Sequence, residues 1–328
     1  MNQDSFTAKY QSQWRQFELW LDSQNTSIPK EKRPQFKNSA EIPHLYRQLC
    51  HHLSLAQSRH YSAHLIDYLN QLVLSGHQYL YQSGLHSRFI FFRFLFDEFP
   101  NLIRARWLLY FLSFLLLYGP LVGIALAIQV SPELVYSVLP PQKVSQFRQM
   151  YNPDNKFIGR NRASSDDFLM FGVYIKNNIG IGFRTFAGGI LFGLGTLFFL
   201  IYNGLSIGAV TGHLVQIGYS KTFFAFVIGH GAFELTAIVI AGMAGLNLGL
   251  ALISPGQYTR LEALKQASRT SMKMVYGVIL MLLIAAFIEA FWSSKGAIAP
   301  DIKFSVGAGL WIFVLSYFVL AGRYRRAA

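Results

Sequence analysis

Long apolar runs fill the chain after residue 106, whereas the first hundred residues mix polar and apolar positions with a helical period. Tyr10, Trp14, Phe17 and Leu21 recur at spacings of three and four, which predicts an amphipathic helix. A second helical region with a bend is predicted over 41–81. Such helices need a partner surface to cover their apolar faces, so we predict a cytoplasmic helical domain over 1–88.

The apolar runs after residue 106 have the length of membrane-crossing helices. They cover 107–129, 179–202, 205–218, 223–253, 272–292 and 304–322. The third run has about 14 residues, fewer than a crossing helix needs, so it is re-entrant, broken or sheltered by its neighbours. The pattern predicts an all-α fold, a polytopic membrane bundle of about six spans whose transmembrane domain covers 107–328.

Two segments beside the first run have a different pattern. Residues 89–106 alternate aromatic and charged side chains, which is too polar for a span and predicts an interfacial amphipathic helix. Arg104 and Arg106 would then face anionic lipid headgroups. Residues 130–178 are rich in Pro, Gln, Asn and Ser, and we predict that they form an outer loop or an arm to which a partner docks.

Composition agrees with a membrane protein, because 52% of the residues are hydrophobic and only 14% are charged. The net charge of +13 comes largely from basic residues beside the apolar runs, and this bias predicts that both termini are cytoplasmic. No nucleic-acid recognition motif accompanies the charge, so binding to nucleic acid is not expected. The single cysteine, Cys50, excludes an intrachain disulfide and a multi-cysteine metal site.

Two titratable residues interrupt the fourth apolar run. His230 and Glu234 are four positions apart, so they share a helical face at membrane depth, where such groups usually line a protein interior or a water-filled cavity. Further members of this intramembrane polar cluster are predicted to be Arg184, Glu289 and His213. The cluster is either a buried Arg–Glu pair of structural importance or a functional cavity. A metal site is not predicted, since two ligands do not complete one.

Small and polar residues mark other positions in the spans. Glycines at spacings of four predict close helix packing, within one subunit or between the subunits of a homodimer. These are Gly189, Gly193, Gly204, Gly208, Gly212, Gly245 and Gly249. Asparagine side chains near predicted helix ends are expected to cap or mark helix breaks, with ligand contact as the alternative. These are Asn177, Asn178 and Asn203.

A series of short runs, taken in order, resembles the stage II sporulation protein M family. The runs are YIKNNI (174–179), FAGGILFGLGT (186–196), NGLSIGA (203–209), HGAFELTAI (230–238), IAGMAGL (240–246), SPG (254–256) and IAAFIE (284–289). N-terminal runs at 45–47, 56–59 and 76–81 look like the cytoplasmic part of longer members. The chain departs from the family in one place, because Gly229 stands where members often have proline before the His-Gly pair.

The resemblance implies an integral protein of the bacterial inner membrane. The sporulation member holds two peptidoglycan-cleaving partners, and longer members often have gene neighbours that encode an ATPase of the MoxR type. We therefore predict a non-enzymatic scaffold, without a cofactor, that contacts membrane lipids, recruits cell-envelope or MoxR-type ATPase partners and forms a homo-oligomer. The alternative is a transporter or channel-like protein whose polar path is lined by His230, Glu234, Arg184 and Glu289.

Overall fold

The computed structural model describes residues 2–24, 42–81, 90–154 and 167–323, and all regular elements in these ranges are helical. The chain divides into two compact units, Met1–Phe91 and Phe92–Ala328. The first contains α1 (Gln3–Gln24), α2 (Ile42–Ser58) and α3 (Ala63–Tyr81). The second contains α4 (Phe99–Ala105), α5 (Trp107–Val130), α6 (Val135–Val138), α7 (Pro141–Met150), α8 (Asp167–Ala187), α9 (Leu194–Gln216), α10 (Ser220–Ile253), α11 (Arg260–Ile288) and α12 (Pro300–Leu320). The predicted all-α fold is confirmed.

The N-terminal unit is built around the aromatic face of α1. Phe6, Trp14 and Phe17 are fully buried, and Leu49 of α2 and Leu69 of α3 lie in the same core. The predicted bend between the second and third helices is a turn at 59–62, in which His60 adopts a positive φ of 52°. This unit therefore has a hydrophobic core of its own.

A buried histidine connects α1 and α2 within that core. The indole Nε1–H of Trp14 donates to His52 Nδ1 over 3.1 Å, so the imidazole accepts at this nitrogen. Burial lowers the pKa of His52 below its usual 6.5, and the neighbouring His51 lowers it further. Protonation at Nδ1 would remove the acceptor and place two N–H groups against each other.

Acidification is therefore expected to loosen the N-terminal unit. Because the pKa of His52 is lower in the folded state, its contribution to the free energy of unfolding is complete above about pH 6.5 and is lost as the pH falls through the folded-state pKa. Hydrogen exchange of α1 and α2 peptides, corrected for intrinsic rates, should accelerate as the pH falls below about 6.5. His52→Gln should remove much of this dependence, while replacement of the exposed His64 should leave it intact. Equal pH profiles for wild type and His52→Gln would contradict the prediction.

Among the described residues of the second unit, five helices are long and apolar enough to cross a membrane, by length and composition: α5, α9, α10, α12, and α11 together with its continuation to Ser293. Contacts between glycines and facing residues give the direction of two of them. Gly204, Gly208 and Gly212 of α9 lie against Leu117, Leu121 and Ala125 of α5 in ascending order. Since both series ascend together, α5 and α9 are parallel.

A helix running the other way must connect these parallel helices, and α8 has that direction. Met170 and Tyr174 pack with Ala286 and Ala290, whereas Gly182 lies against Leu282 and Val278. The numbering descends along α11 as it ascends along α8, so the two helices are antiparallel. With α8 counted, the described chain passes six times along the bundle. The predicted outer loop over 130–178 is wrong at its end, because α8 begins at Asp167.

The break between the predicted second and third runs is misplaced. The chain turns at 188–193, where Gly188–Ile190 forms a short 3₁₀ turn and Phe192 and Gly193 adopt positive φ angles of 52° and 82°. From Leu194 to Gln216 the helix is continuous through Asn203 and Gly204. The predicted short third segment is therefore the second half of a full-length helix. The turn is compact because glycine backbones touch there: a Cβ on Gly188 would lie 2.6 Å from the carbonyl carbon of Gly195.

The predicted interfacial segment lies partly inside the bundle. Phe92 and Phe96 are exposed, as expected for a membrane surface, but Phe99 and Ile103 are buried in the main core. The Phe99 ring fills the space beside Gly277, where no side chain intervenes. A π-helical turn over Phe94–Glu98 separates the exposed and buried parts, since it adds a residue to one turn and rotates the later residues about the helix axis.

Arg104 does not face lipid headgroups. Its guanidinium donates to the carbonyls of Phe318 at 2.6 Å and Ala321 at 2.5 Å, at the end of α12. The beginning of α5 and the end of α12 thus lie at the same end of the bundle. We call this the Arg104 end.

The opposite end is covered by the first part of the predicted outer loop. Val135 of α6 and Val144 of α7 are buried with Ile128 and Ala209, and Tyr151 is buried with Phe223 and Phe226. Pro141 occupies the first turn of α7, where its missing N–H costs nothing. Residues 131–151 therefore form a helical cap on the bundle, so the prediction that this stretch is a loop is wrong, while its role as an arm to which a partner docks stays a prediction.

Candidate functional site

We call the second unit, Phe92–Ala328, the membrane unit. Helix α10 lies at its centre and carries the candidate site. From Thr236 to Gly249 every residue is buried, because α5, α8, α9, α11 and α12 all contact this helix. Its small residues let the neighbouring backbones approach closely. Two titratable residues, His230 and Glu234, lie just before this buried segment, whereas Lys221 in the first turn of α10 is exposed.

His230 and Glu234 lie one turn apart and point in the same direction. The distance between His230 Nε2 and Glu234 Oε2 is 4.0 Å, which is too long for a direct hydrogen bond. The other ring nitrogen, Nδ1, lies 3.0 Å from Ser293 Oγ. The Phe226 ring meets the imidazole edge-on at 5.3 Å, so the histidine is fixed on three sides.

Glu289 joins this pair from the facing helix. It opens a π-helical turn over Glu289–Ser293 that continues α11. One ligand atom each from His230, Glu234 and Glu289 lies within 4.8 Å of the other two. Among the described residues this is the one group of three or more such side chains close enough to hold a metal ion. The predicted cluster thus has three of its five members in place.

The remaining two predicted members are elsewhere. The Arg184 side chain is exposed, and its Nε–H donates to the carbonyl of Gly180 in its own helix over 3.0 Å. His213 lies near the end of α9 that faces the helical cap, and its buried Nε2 has no hydrogen-bond partner among the described residues. The prediction that Arg184 is the counter-ion of Glu234 or Glu289 is therefore wrong, because α8 turns this side chain away from α10.

A buried cation that the sequence pattern does not single out lies beside the cluster. Lys303 is 2% exposed, and its Nζ donates to the backbone carbonyl of Ser293 over 2.8 Å. Ser293 is therefore contacted by His230 through its hydroxyl and by Lys303 through its carbonyl. The sequence does contain a feature that indicates it, since Lys303 is the fourth residue of an apolar helix that begins at Pro300. The predicted span begins one residue later, at 304, and so leaves this lysine out.

The asparagines do not cap helices. Asn177 and Asn178 lie inside α8, where the amide of Asn177 donates to Asn178 Oδ1 over 3.1 Å, and Asn203 donates to the Phe199 carbonyl inside α9. Their assignment to helix breaks is wrong. Another asparagine, Asn247, links α10 to α11 by donating to Ser271 Oγ over 3.0 Å, and Ser271 in turn donates to the Ala244 carbonyl over 2.9 Å.

All seven predicted packing glycines face other parts of the same chain. Gly204, Gly208 and Gly212 meet α5. A Cβ on Gly189 would lie 2.6 Å from the carbonyl carbon of Gly245, and one on Gly249 would lie 2.5 Å from Gly193. These contacts are all made within one chain, so they do not support the predicted homo-oligomer, which stays a prediction.

Comparison with known proteins places the membrane unit in a family. The sequence model described as "Stage II sporulation protein M" matches residues 109–294, more than half of the chain. The chain belongs to the stage II sporulation protein M family. The predicted resemblance is thereby confirmed, and the matched range includes His230, Glu234, Glu289 and Ser293. Lys303 lies beyond it.

The N-terminal unit matches a different model. Residues 4–82 correspond to a "Domain of unknown function (DUF8413)". A protein of Methanocaldococcus jannaschii, described as uncharacterized, is 30% identical over 130 residues, which is 38% of this chain and 71% of that protein. No solved structure matches the chain. The chain is thus a family membrane protein with a separate helical domain attached before its first span.

Proposed function

We propose that this family member is a non-enzymatic membrane scaffold that captures partner proteins through its N-terminal unit. The observation that carries the proposal is the division of the chain into two units, each with its own hydrophobic core. The N-terminal unit buries its apolar face in a core of its own, and we propose that its exposed side chains bind other proteins. In the membrane unit, neighbouring helices touch at glycine backbones. Such close packing suits a fixed anchor better than a transporter whose helices must move.

The distribution of basic residues supports a defined orientation. The Arg104 end of the bundle carries many basic side chains, namely Arg93, Arg104, Arg106, Arg260, Lys265, Arg269, Lys273 and Arg323. Under the positive-inside rule this end faces the cytoplasm. The N-terminal unit precedes α5 and would lie on the same side. We propose a bacterial inner-membrane location with both termini cytoplasmic, which gives the N-terminal unit access to a cytoplasmic ATPase.

Two partner classes fit this arrangement. A MoxR-type ATPase would meet the N-terminal unit in the cytoplasm, and cell-envelope proteins would meet the helical cap formed by residues 131–151 on the other side. Both classes derive from the family resemblance. The exposed leucines of the N-terminal unit, Leu19 and Leu74, are apolar positions at which a partner surface would gain contact.

Photo-crosslinking in native membranes tests the proposal. A crosslinking residue at Leu19 or Leu74 is expected to capture a defined partner, whereas one at Leu315, equally exposed on the apolar helix α12, should capture lipid. Deletion of 1–88 should abolish capture without preventing membrane insertion, since the membrane unit keeps its own core. Capture that survives the deletion would contradict the assignment to the N-terminal unit. A partner-free protein would favour the transporter, for which the buried His230–Glu234–Glu289 cluster is the supporting observation.

A further inference from the structure

The His230–Glu234–Glu289 cluster has the composition of a metal site. It offers one imidazole nitrogen and two carboxylate groups from two different helices, with the ligand atoms within 4.8 Å of one another. Two ligands of one transition-metal ion lie about 3–4 Å apart when each bond is about 2.0–2.2 Å long. The glutamate side chains have several rotatable bonds, and we expect their rotation to bring all three atoms onto one ion.

The surroundings of His230 match those of a metal-bound histidine. Such histidines usually donate their second ring N–H to a neighbouring acceptor, which fixes the tautomer and aims the free lone pair at the metal. In the tautomer that donates from Nδ1, Ser293 Oγ is that acceptor at 3.0 Å. Nε2 then keeps a free lone pair, and the 4.0 Å between this atom and Glu234 Oε2 leaves room for an ion rather than for a hydrogen bond.

Electrostatics favours a cation at this position. Two carboxylates held close together in a membrane interior repel each other, and each is costly to keep charged away from water. A divalent ion compensates two negative charges at once. Lys303 donates to the Ser293 carbonyl, so it stabilises the π-helical turn that carries Glu289 and Ser293.

We propose that His230, Glu234 and Glu289 bind one divalent transition-metal ion inside the membrane unit. A mixed set of one nitrogen and two oxygens suits Zn²⁺, Mn²⁺ or Fe²⁺, whereas Ca²⁺ and Mg²⁺ prefer oxygen ligands alone. The sequence pattern does not predict a metal site, because α10 alone supplies only two ligands. The third, Glu289, is 55 positions further along the chain than Glu234 and reaches the site through antiparallel packing of α10 and α11. The ion would join these two helices at the centre of the bundle.

Metal analysis of the full chain in lipid nanodiscs tests this site. After chelator treatment and titration with Zn²⁺ or Mn²⁺, the wild type is expected to bind about one ion per chain, and its thermal unfolding midpoint should rise with ion concentration. Glu234→Gln and Glu289→Gln preserve side-chain size and should each weaken binding by roughly tenfold or more, as loss of even an outer partner often does. Glu262→Gln changes an exposed carboxylate of α11 and should bind as the wild type does.

The response of stability to the ion separates a metal site from a purely structural cluster. At a metal site, Zn²⁺ or Mn²⁺ should raise the unfolding temperature of the wild type but not that of Glu289→Gln. A wild type that neither retains nor is stabilised by Zn²⁺ or Mn²⁺ would overturn the proposal. Binding that survives both glutamate substitutions would also overturn it, by placing the ion elsewhere. These measurements need no partner protein, so they do not depend on the scaffold function.

Discussion

Replacement of Gly245 by alanine is expected to prevent the membrane unit from folding stably. A Cβ at this position would lie 2.9 Å from the carbonyl oxygens of both Thr185 and Phe186, and closer still to Thr196 Oγ1. The Thr196 hydroxyl cannot give way freely, because it donates to the Thr185 carbonyl over 2.7 Å. Backbone atoms cannot rotate out of the way as a side chain does, so α8 and α10 must separate.

The cost is expected to reach or exceed the upper end of the roughly 1–3 kcal/mol typical of overpacked cores. The thermal midpoint of the detergent-solubilised protein, and the fraction that elutes as a single species in gel filtration, measure the effect. Gly189→Ala should have a similar effect, since its Cβ would meet the backbone of Gly245 from the other side.

Two other glycines supply matched controls. Gly123 of α5 and Gly309 of α12 also lie in apolar helices, but a Cβ on either would meet no atom within 4 Å. Alanine at these positions should be neutral or slightly stabilising, because alanine favours the helix by about 1 kcal/mol over glycine. A Gly245→Ala protein as stable as Gly123→Ala would show that the close contact of α8 and α10 is not formed in the solubilised protein.

Glycine spacing shows both the reach of sequence reasoning and its limit. The spacings of four predict close packing, and each of the seven glycines lies against another segment. The partner segments are not predictable, because spacing along one helix says nothing about which neighbour it meets. The parallel pairing of α5 with α9 depends on α8 returning the chain, and α8 is the one of the six passes that is not among the helices apolar enough to cross a membrane by length and composition.

The misplaced break has a similar cause. Residues 179–216 are apolar almost throughout, so their pattern does not show where the chain turns. Asn203 and Gly204 are the most conspicuous interruption, and the prediction places the break there. In the structure the asparagine satisfies its amide inside the helix, and the turn occurs ten positions earlier, where Gly193 with φ of 82° permits a left-handed backbone.

The candidate site is predictable where local geometry defines it. His230 and Glu234 share a face because helical residues four apart always do. Glu289 can be named from the sequence as a possible partner but not placed, and Ser293 and Lys303 enter only through the antiparallel contact of α10 with α11 and the subsequent turn into α12. Arg184 is a candidate by charge alone, and the rotation of α8 about its axis, which the sequence does not specify, points it outward.

Substitution of Arg104 by alanine is expected to release the end of the last span. The last four carbonyls of a helix lack partners within it, and the guanidinium supplies donors to two of them in α12, Phe318 at 2.6 Å and Val319 at 3.4 Å. It also donates to the Ala321 carbonyl just beyond the helix and to Asn101 Oδ1 at 2.7 Å. Removing it takes the donor from these acceptors in α4 and at the end of α12.

We expect a loss of roughly 2–4 kcal/mol in stability, because hydrogen bonds from a charged donor contribute about 1.5–3 kcal/mol each and several are lost together. The loss should be local. Hydrogen exchange in peptides that cover 314–323 should accelerate strongly, while peptides from the centre of α10 should change little. Arg104→Lys should restore only part of the protection, since an ammonium group cannot reproduce the planar fork that reaches three carbonyls and an amide.

Arg106 provides the control for a general charge effect. It is exposed two positions away, at the same end of the bundle, and Arg106→Ala removes the same positive charge from that end. If Arg104 acted only through the positive-inside bias, both alanine variants would have the same effect. Unchanged exchange at 314–323 in Arg104→Ala would mean that the two ends of the membrane unit are not joined there. Faster exchange in Arg104→Ala but not in Arg106→Ala would show that the Arg104 side chain joins the segment before the first span to the end of the last span.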